Sequence, residues 1–333
     1  GSCCGWRDSS CFCDFYTYTE DALNEKSEHK SGNCSEAEAL VTIPSSLQKE
    51  YIRDLYSRTG GEYWTTRSGW LDEAIPQCKW FGLKCNEDGH IVEINLRKNN
   101  LTGAELFGYL RFPQLTKLDL AGNELSGTVF NDILYYHRRL VHIDISDNHF
   151  SGEVDMTFPP STLHVNYSHN NLTSVGFKRF NQAYETLRVV DLSNNGINQD
   201  ASSLFVNIPP HIEELSLSNN VIQGTLPDPF PLENVKTLSI ANNALHGSIP
   251  NFPSPRLEKL DLSKQNKREN GGLSGGIPTA LSKLGELTEL NLAGNKLANG
   301  IPSVLGNLQY LKVLNVSSNA LAGPIPSELG KLT

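Results

Sequence analysis

From about residue 91 onward the chain repeats itself, and that repetition limits what it can fold into more than any other feature. The template L-x-x-L-x-L-x-x-N-x-L is clearest as LTKLDLAGNEL (115–125), LTELNLAGNKL (287–297) and LKVLNVSSNAL (311–321). Its asparagine slot falls at Asn99, Asn123, Asn148, Asn170, Asn195, Asn220 and Asn243, then at Gln265, Asn295 and Asn319, mostly 22 to 25 residues apart. That makes ten units. In such a chain each unit contacts only its neighbours, so the core lengthens instead of splitting into domains. The L-x-L stretch is expected to be a short strand whose leucines point inward. Each inward side chain contributes roughly 1.5–3 kcal/mol, provided the next unit covers it. The asparagine marks the place where the chain turns inward, and its amide can satisfy backbone groups that would otherwise be buried and unpaired. The asparagine series is therefore expected to be structural.

After the asparagine many units continue as L-x-G-x-I-P, for example NALHGSIP (243–250), LSGGIP (273–278) and LAGPIP (321–326). With these motifs, residues 70–333 resemble the plant-specific class of leucine-rich-repeat proteins found in plant receptor ectodomains, polygalacturonase inhibitors and many algal proteins. The resemblance implies an α/β solenoid, a right-handed superhelix with one parallel sheet on its concave face and a second short strand at G-x-I-P. It also implies a disulfide-capped amino terminus, because CKWFGLKC (78–85) is similar to the family's C-x-W-x-G-V-x-C cap with Leu83 in place of valine. A Cys78–Cys85 disulfide follows from that likeness. Tyr63, Trp64, Trp70 and Trp80 are expected to plug the end of the solenoid, since aromatic rings pair large apolar area with a polar handle. Before them, 45–61 reads as a helix. Ser45 and Gln48 are placed for a capping box, Leu47, Tyr51 and Leu55 share a face, and Gly60 is placed to end it.

The expected organisation is a cysteine-rich segment over 1–34, a helical cap over 35–90 and ten repeats over 91–333. All seven cysteines lie within the first 85 residues, at Cys3, Cys4, Cys11, Cys13, Cys34, Cys78 and Cys85. This clustering suits a disulfide-stapled cap better than zinc, whose C-x2-C knuckles are absent. Once Cys78 and Cys85 are paired, the other five cysteines leave every pairing open. Sequons at Asn33, Asn100, Asn166, Asn171 and Asn315 point the same way, to an oxidising secretory route and an extracellular place. A net charge of -9 argues against nucleic acid or an anionic membrane as partner. No apolar run is long enough to span a bilayer. The chain stops at SELGKLT (327–333), early in what would be an eleventh unit, so continuation or truncation beyond it is expected.

No motif of a catalytic site is present, whether a kinase glycine-rich loop, G-x-S-x-G or H-E-x-x-H, and no enzyme activity, metal or cofactor is expected. Asp119, Asp144, Asp191 and Asp261 look like a carboxylate array, yet they occupy the middle x of L-x-L, where the family favours Asp or Asn. Binding is expected on the concave face instead. One group of candidates is His142, Asp144 and Asp147 with His164 and His169, the two strand histidines being neighbours on adjacent strands. Glycans at Asn166 and Asn315 would obstruct the inner face beside them. That leaves Asp191, Glu214, Ser216, Thr237, Ser239, Lys259, Asp261 and Glu289 as the open stretch, while Asn100 and Asn171 point outward. The eighth unit, LDLSKQNKRENGGLSGGIP (260–278), carries about six extra residues, and its loop with Lys264, Lys267 and Arg268 is a further candidate.

The reading that follows is the ligand-recognition ectodomain of a receptor-like protein, binding a peptide, glycan or protein with a possible co-receptor. A secreted inhibitor resembling polygalacturonase inhibitors is the alternative, followed by an adhesion or ice-binding module, which would call for ranks of threonine. The Arg-x-Arg pair with which some peptide-hormone receptors hold a ligand carboxylate is not evident on the inner face.

Overall fold

The computed structural model describes the backbone of 6–7, 10–11, 13–15, 30–32 and 45–332, apart from 105–110, 130–136 and 178–184. The sequon at Asn33 and the cysteines Cys3, Cys4 and Cys34 lie outside the described residues, as do the side chains of Cys11, Cys13 and Ser45. The chain forms two compact units, Gly1–Pro44 and Ser45–Thr333, so the division falls after Pro44. In the first, Trp6–Arg7 pairs antiparallel with Ser10–Cys11, and Cys13–Phe15 with Lys30–Gly32.

The second unit is built on an eleven-stranded sheet. Its first strand, Leu83–Cys85, runs antiparallel to Ile91–Asn95. Every later strand joins in parallel, one per repeat: Lys117–Asp119, His142–Asp144, His164–Asn166, Val189–Asp191, Glu214–Ser216, Thr237–Ser239, Lys259–Asp261, Glu289–Asn291 and Val313–Asn315. The middle residue of each triplet is the template leucine. Leu118, Ile143, Val165, Val190, Leu215, Leu238, Leu260 and Leu290 are all buried in one continuous core. Tyr167 takes an inward leucine slot, and burial pushes its phenol pKa up.

The template asparagines join neighbouring repeats through three sets of bonds. Asn220 Nδ2 donates to Leu192 O of the preceding repeat (3.0 Å) and to Leu217 O of its own (3.0 Å), while its Oδ1 accepts from Ile197 N (3.0 Å). Asn148, Asn170, Asn195, Asn243, Asn295 and Asn319 repeat the pattern. Gln265 keeps it too: Nε2 reaches Ile240 O (2.8 Å) and Oε1 accepts from Leu245 N (3.3 Å). The longer side chain spans the same gap, so the irregular eighth unit does not break the ladder. In all ten repeats the residue before the ladder side chain has a left-handed φ, from +51° at Lys98 to +69° at Gly122.

The second strand expected at G-x-I-P lies just ahead of it, ending at or before that glycine, and it forms two separate four-stranded sheets on the flank. One runs from Thr102–Gly103 to Asn171–Gly176, the other from Gln223–Gly224 to Lys296–Leu297. The fifth repeat separates them. There NQDASSLF forms a short helix, Ala201–Phe205, capped by Asp200. Pro278, Pro302 and Pro326 each precede a 3-10 helix, where their fixed φ and missing N–H cost nothing.

The amino-terminal cap follows the expectation with one correction. The helix Ser45–Arg58 (α1) lays Ile52 and Leu55 on the core, and Gly60 behind it is left-handed at φ +67°. Gln48, read as half of a capping box, also docks the helix on the first repeat, since its Oε1 accepts from Ile91 N (3.0 Å). Trp64, Trp70 and Trp80 are buried in an aromatic cluster with Tyr56, mostly edge-on or tilted, and their indole N–H groups donate to Thr59 O, Phe81 O and Ile75 O. Tyr63 does not join the plug. It is 71% exposed, because the chain leaves the core at the 3-10 turn Gly61–Tyr63 before it re-enters at Trp64. Cys78 and Cys85 form the cap disulfide. Gly82 between them has φ +79°, and a Cβ there would stand 2.3 Å from Asn95 O. Among the described residues no helix is long and apolar enough to cross a membrane.

Replacing Asn220 with alanine would leave Ile197 N–H without its acceptor and take one of two amide donors from each of Leu192 O and Leu217 O, which keep Asn195 and Asn243. The expected cost is about 1–3 kcal/mol, read as faster hydrogen exchange in the fifth to seventh repeats, since solenoid repeats can open locally. Peptide mapping under non-reducing conditions is expected to recover 78 and 85 as one cross-linked peptide.

Candidate functional site: the open face of the long sheet

Residues flanking each buried strand centre lie in two rows on the face opposite the core, because alternate side chains point to opposite faces of a strand. The row after the centre holds Asp119, Asp144, Asn166, Asp191, Asp261, Asn291 and Asn315. Its oxygens are largely committed to the backbone. Oδ1 of Asp144, Asp191 and Asp261 accepts from the N–H two residues on, at 3.0, 2.9 and 2.9 Å. Asn166 and Asn315 do the same with Ser168 and Ser317. This short Asx turn bends the chain out of the strand, which explains why Asp or Asn recurs there. Asp144 is also buried, at 5% exposure, and is gripped by Arg97. Arg97 also bonds Asp119 at 3.1 Å, so it clamps three repeats together. Sequence reasoning passed over Arg97, although it stands alone in a column otherwise made of Ala and Ser.

The row before the centre is less committed. Its register places His142 between Lys117 and His164, and the two imidazole centroids are 5.9 Å apart. Burial lowers the His142 pKa, with further lowering by Lys117 and His164 and opposition from Asp144 and Asp119. Farther along, Glu214, Thr237 and Lys259 are consecutive neighbours. Lys259 meets Glu289 at 2.8 Å, and that bond raises the lysine pKa. Glu214 and Asp191 have no ion-pair partner among the described residues. Glu213, one position earlier, is held below the usual carboxylate range by Lys236, which bonds it at 2.7 Å. The fold therefore assembles two candidate groups, His142–Asp144–His164 and Glu214–Thr237–Lys259, with Asp191 and Asp261 on the adjoining row.

The eighth-repeat loop does not line up with them. Lys264 lies at the left-handed turn beside the sheet, but Arg268 reaches the flank, where it bonds Asn198 and Gln223. Lys267 and Arg268 are thus separated from the row that contains Lys259. Of the sequons, Asn171 is exposed on a flank strand, and Asn100 is exposed while its Nδ2 donates to Tyr63 O (2.9 Å). Asn166 and Asn315 are half-buried on the open face. Among the described residues no cluster of three or more His, Cys, Asp or Glu could hold a metal ion.

The lowered His142 pKa has a signed consequence. Below its ordinary value near 6.5 the unfolded chain takes up a proton that the folded site resists, so folded stability falls with acidification. His142→Gln is expected to flatten the loss of stability between about pH 7 and 5 relative to the unaltered chain, as measured by urea titration at each pH.

Comparison with known proteins agrees with this architecture. The Leucine Rich Repeat family model matches residues 114–135, 211–232, 286–308 and 310–332. The chain is 32% identical over 160 residues to Serine/threonine-protein kinase BRI1-like 1 of Arabidopsis thaliana, an alignment covering 45% of this chain and 13% of the kinase. It spans less than a fifth of the length of the curated relatives it first matches. Among solved structures, the plant peptide hormone receptor RGFR1 in complex with RGF2 is 27% identical with a TM-score of 0.58, covering 77% of this chain and 43% of that one. A plant ice-binding protein, 23% identical, superposes with a TM-score of 0.67 over 85% of this chain and 89% of its own, which shows a shared fold. The chain carries leucine-rich repeats and is similar over part of its length to plant receptor-like kinases and receptor-like proteins.

Proposed function

We propose that the chain is the extracellular ligand-recognition part of a receptor-like protein, and that it binds an extended peptide or protein segment along the open face of the long sheet. The observation that carries this reading is the division of labour between the two rows. One row is spent on backbone turns, while the other displays His142, His164, Val189, Glu214, Thr237 and Lys259 at fixed intervals on a rigid sheet. Strands about 4.8 Å apart make ten repeats roughly 45 Å long, enough for about thirteen extended residues. The likeness to a receptor solved with a peptide hormone supports the same reading. The sheet binds and does not itself catalyse.

The ice-binding neighbour suggests a second reading, but the chemistry of the rows is against it. Only Thr237 among the long-sheet strand residues named above is a threonine, and its neighbours are charged.

A random-peptide display library selected on the chain provides the test. Enriched peptides are expected to lose at least about ten-fold in affinity to Glu214→Lys or Lys259→Glu, a change of about 1.4 kcal/mol or more. Stability should stay within about 0.5 kcal/mol, as for surface changes generally. His149→Ala on the flank is expected to leave binding unchanged. Loss through the flank variant with the sheet variants silent would move the site off the long sheet.

A further inference from the structure

The extra residues of the eighth repeat do not stand away from the surface. Elsewhere the ladder side chain is followed two positions later by an apolar residue, as in Asn243 and Leu245, whereas Gln265 and Leu273 are eight apart. The added chain folds back along the flank. Arg268 donates to Asn198 Oδ1 (3.0 Å) and to Gln223 Oε1, in the fifth and sixth repeats. Lys267 N donates to Asn243 O of the seventh (3.2 Å), and Lys296 Nζ of the ninth donates to Glu269 O (3.3 Å). The loop is anchored to four other repeats.

Beneath it lies a recess of about 380 Å³ bounded by Asp200, Gly224, His246, Arg268, Glu269 and Asn270. It opens where the fifth repeat gives up its flank strand for the short helix. Asp200 uses Oδ1 to cap that helix, accepting from Ser202 N and Ser203 N. Its Oδ2 lies over Gly224, where φ is +87° and a Cβ would stand 2.1 Å from that oxygen. Only glycine leaves the carboxylate that position. The bond from Ser202 Oγ holds Asp200 below the usual carboxylate range, so it stays an acceptor near neutrality.

The chemistry of the recess is mixed on purpose-built geometry. Arg268 has no carboxylate partner among the described residues, and both its bonds go to neutral amide oxygens. Of its five N–H groups, several remain to donate. His246 and Asn270 each supply donors and acceptors. Asp200 and Glu269 outnumber the Arg268 guanidinium, so the lining carries one net negative charge and disfavours an anionic ligand. Ala244 is its only apolar side chain. A hydroxyl that donates to Asp200 and accepts from Arg268 would satisfy both through charge-assisted bonds, and a ring of adjacent hydroxyls would satisfy the rest. The volume lies within the range of small-ligand sites.

We infer that this flank recess binds the neutral hexose end of an oligosaccharide, at a site separate from the long sheet and independent of the peptide reading. Titration calorimetry of the chain with cellotetraose, mannotetraose and galactotetraose tests it, with trigalacturonate as the charged comparison. At least one neutral tetrasaccharide is expected to bind one-to-one. Asp200→Asn, which retains a capping side chain, and Arg268→Gln are each expected to weaken it at least about ten-fold, as removal of a charged hydrogen-bond partner does. Glu214→Lys should leave it within about two-fold, since distant surface changes are nearly neutral. The inference is overturned if no neutral sugar binds, if trigalacturonate binds and the neutral sugars do not, or if binding survives both recess variants.

Discussion

An amide side chain that bonds to two repeats at once is the element on which the rest of the molecule depends. A parallel sheet of three-residue strands has little pairing of its own, and after each strand the chain must turn through the core with its polar backbone. Left alone, each buried carbonyl or N–H would cost about 1–3 kcal/mol. Asn99 begins the series inside the cap, where its side chain pairs with both N and O of Thr66 (2.6 and 2.9 Å) and its own N–H donates to Asn123 Oδ1. From there every repeat is tied to the next, as far as Asn319. The cap is thus the first rung, and the buried tryptophans and the Cys78–Cys85 disulfide stabilise the end from which the ladder starts.

This explains what was legible in the sequence. Strand positions, the ladder and the cap motif are each fixed by short-range spacing, and each landed where the spacing placed it. Tyr63 did not, because its burial depends on a turn that periodicity does not encode. The recurrence of Asp or Asn in the row after the strand centre has its physical reason in a bond two residues away, visible only once the turn exists. Arg97 was missed because its partners are 22 and 47 residues distant. Asp200 and Arg268 are 68 residues apart, and nothing local in either segment says that they border one recess. Contacts between repeats become readable in sequence only when they recur, and these do not.

Regularity also decides where specificity can reside. A position that caps a turn, fills the core or bridges two repeats cannot change freely without a cost paid in stability. The left-handed residue before each ladder side chain is similarly constrained, and the frequent Asn, Asp and Gly there reflect backbone preference more than any ligand. What remains free on the long sheet is essentially one row, from His142 through Lys259, together with the turn-edge Lys264.

The two departures from regularity lie on the flank, and they are physically coupled. The fifth repeat exchanges a strand for a helix and so interrupts the flank sheet; the eighth adds a loop. Either alone would leave backbone or side-chain polar groups facing open solvent at the interruption. Together, the loop from the eighth repeat supplies Arg268 to side-chain oxygens of the fifth and sixth, across the break. Gln265 lets this happen without loss of the ladder, because its extra methylene carries the amide back to Ile240 O and Leu262 O while the backbone leaves on its detour. A loop of this kind needs a rigid base on both sides to hold a recess open, and the unbroken ladder beneath it provides that base. The flank can therefore be remodelled locally while the long sheet, and any ligand laid along it, keeps its register.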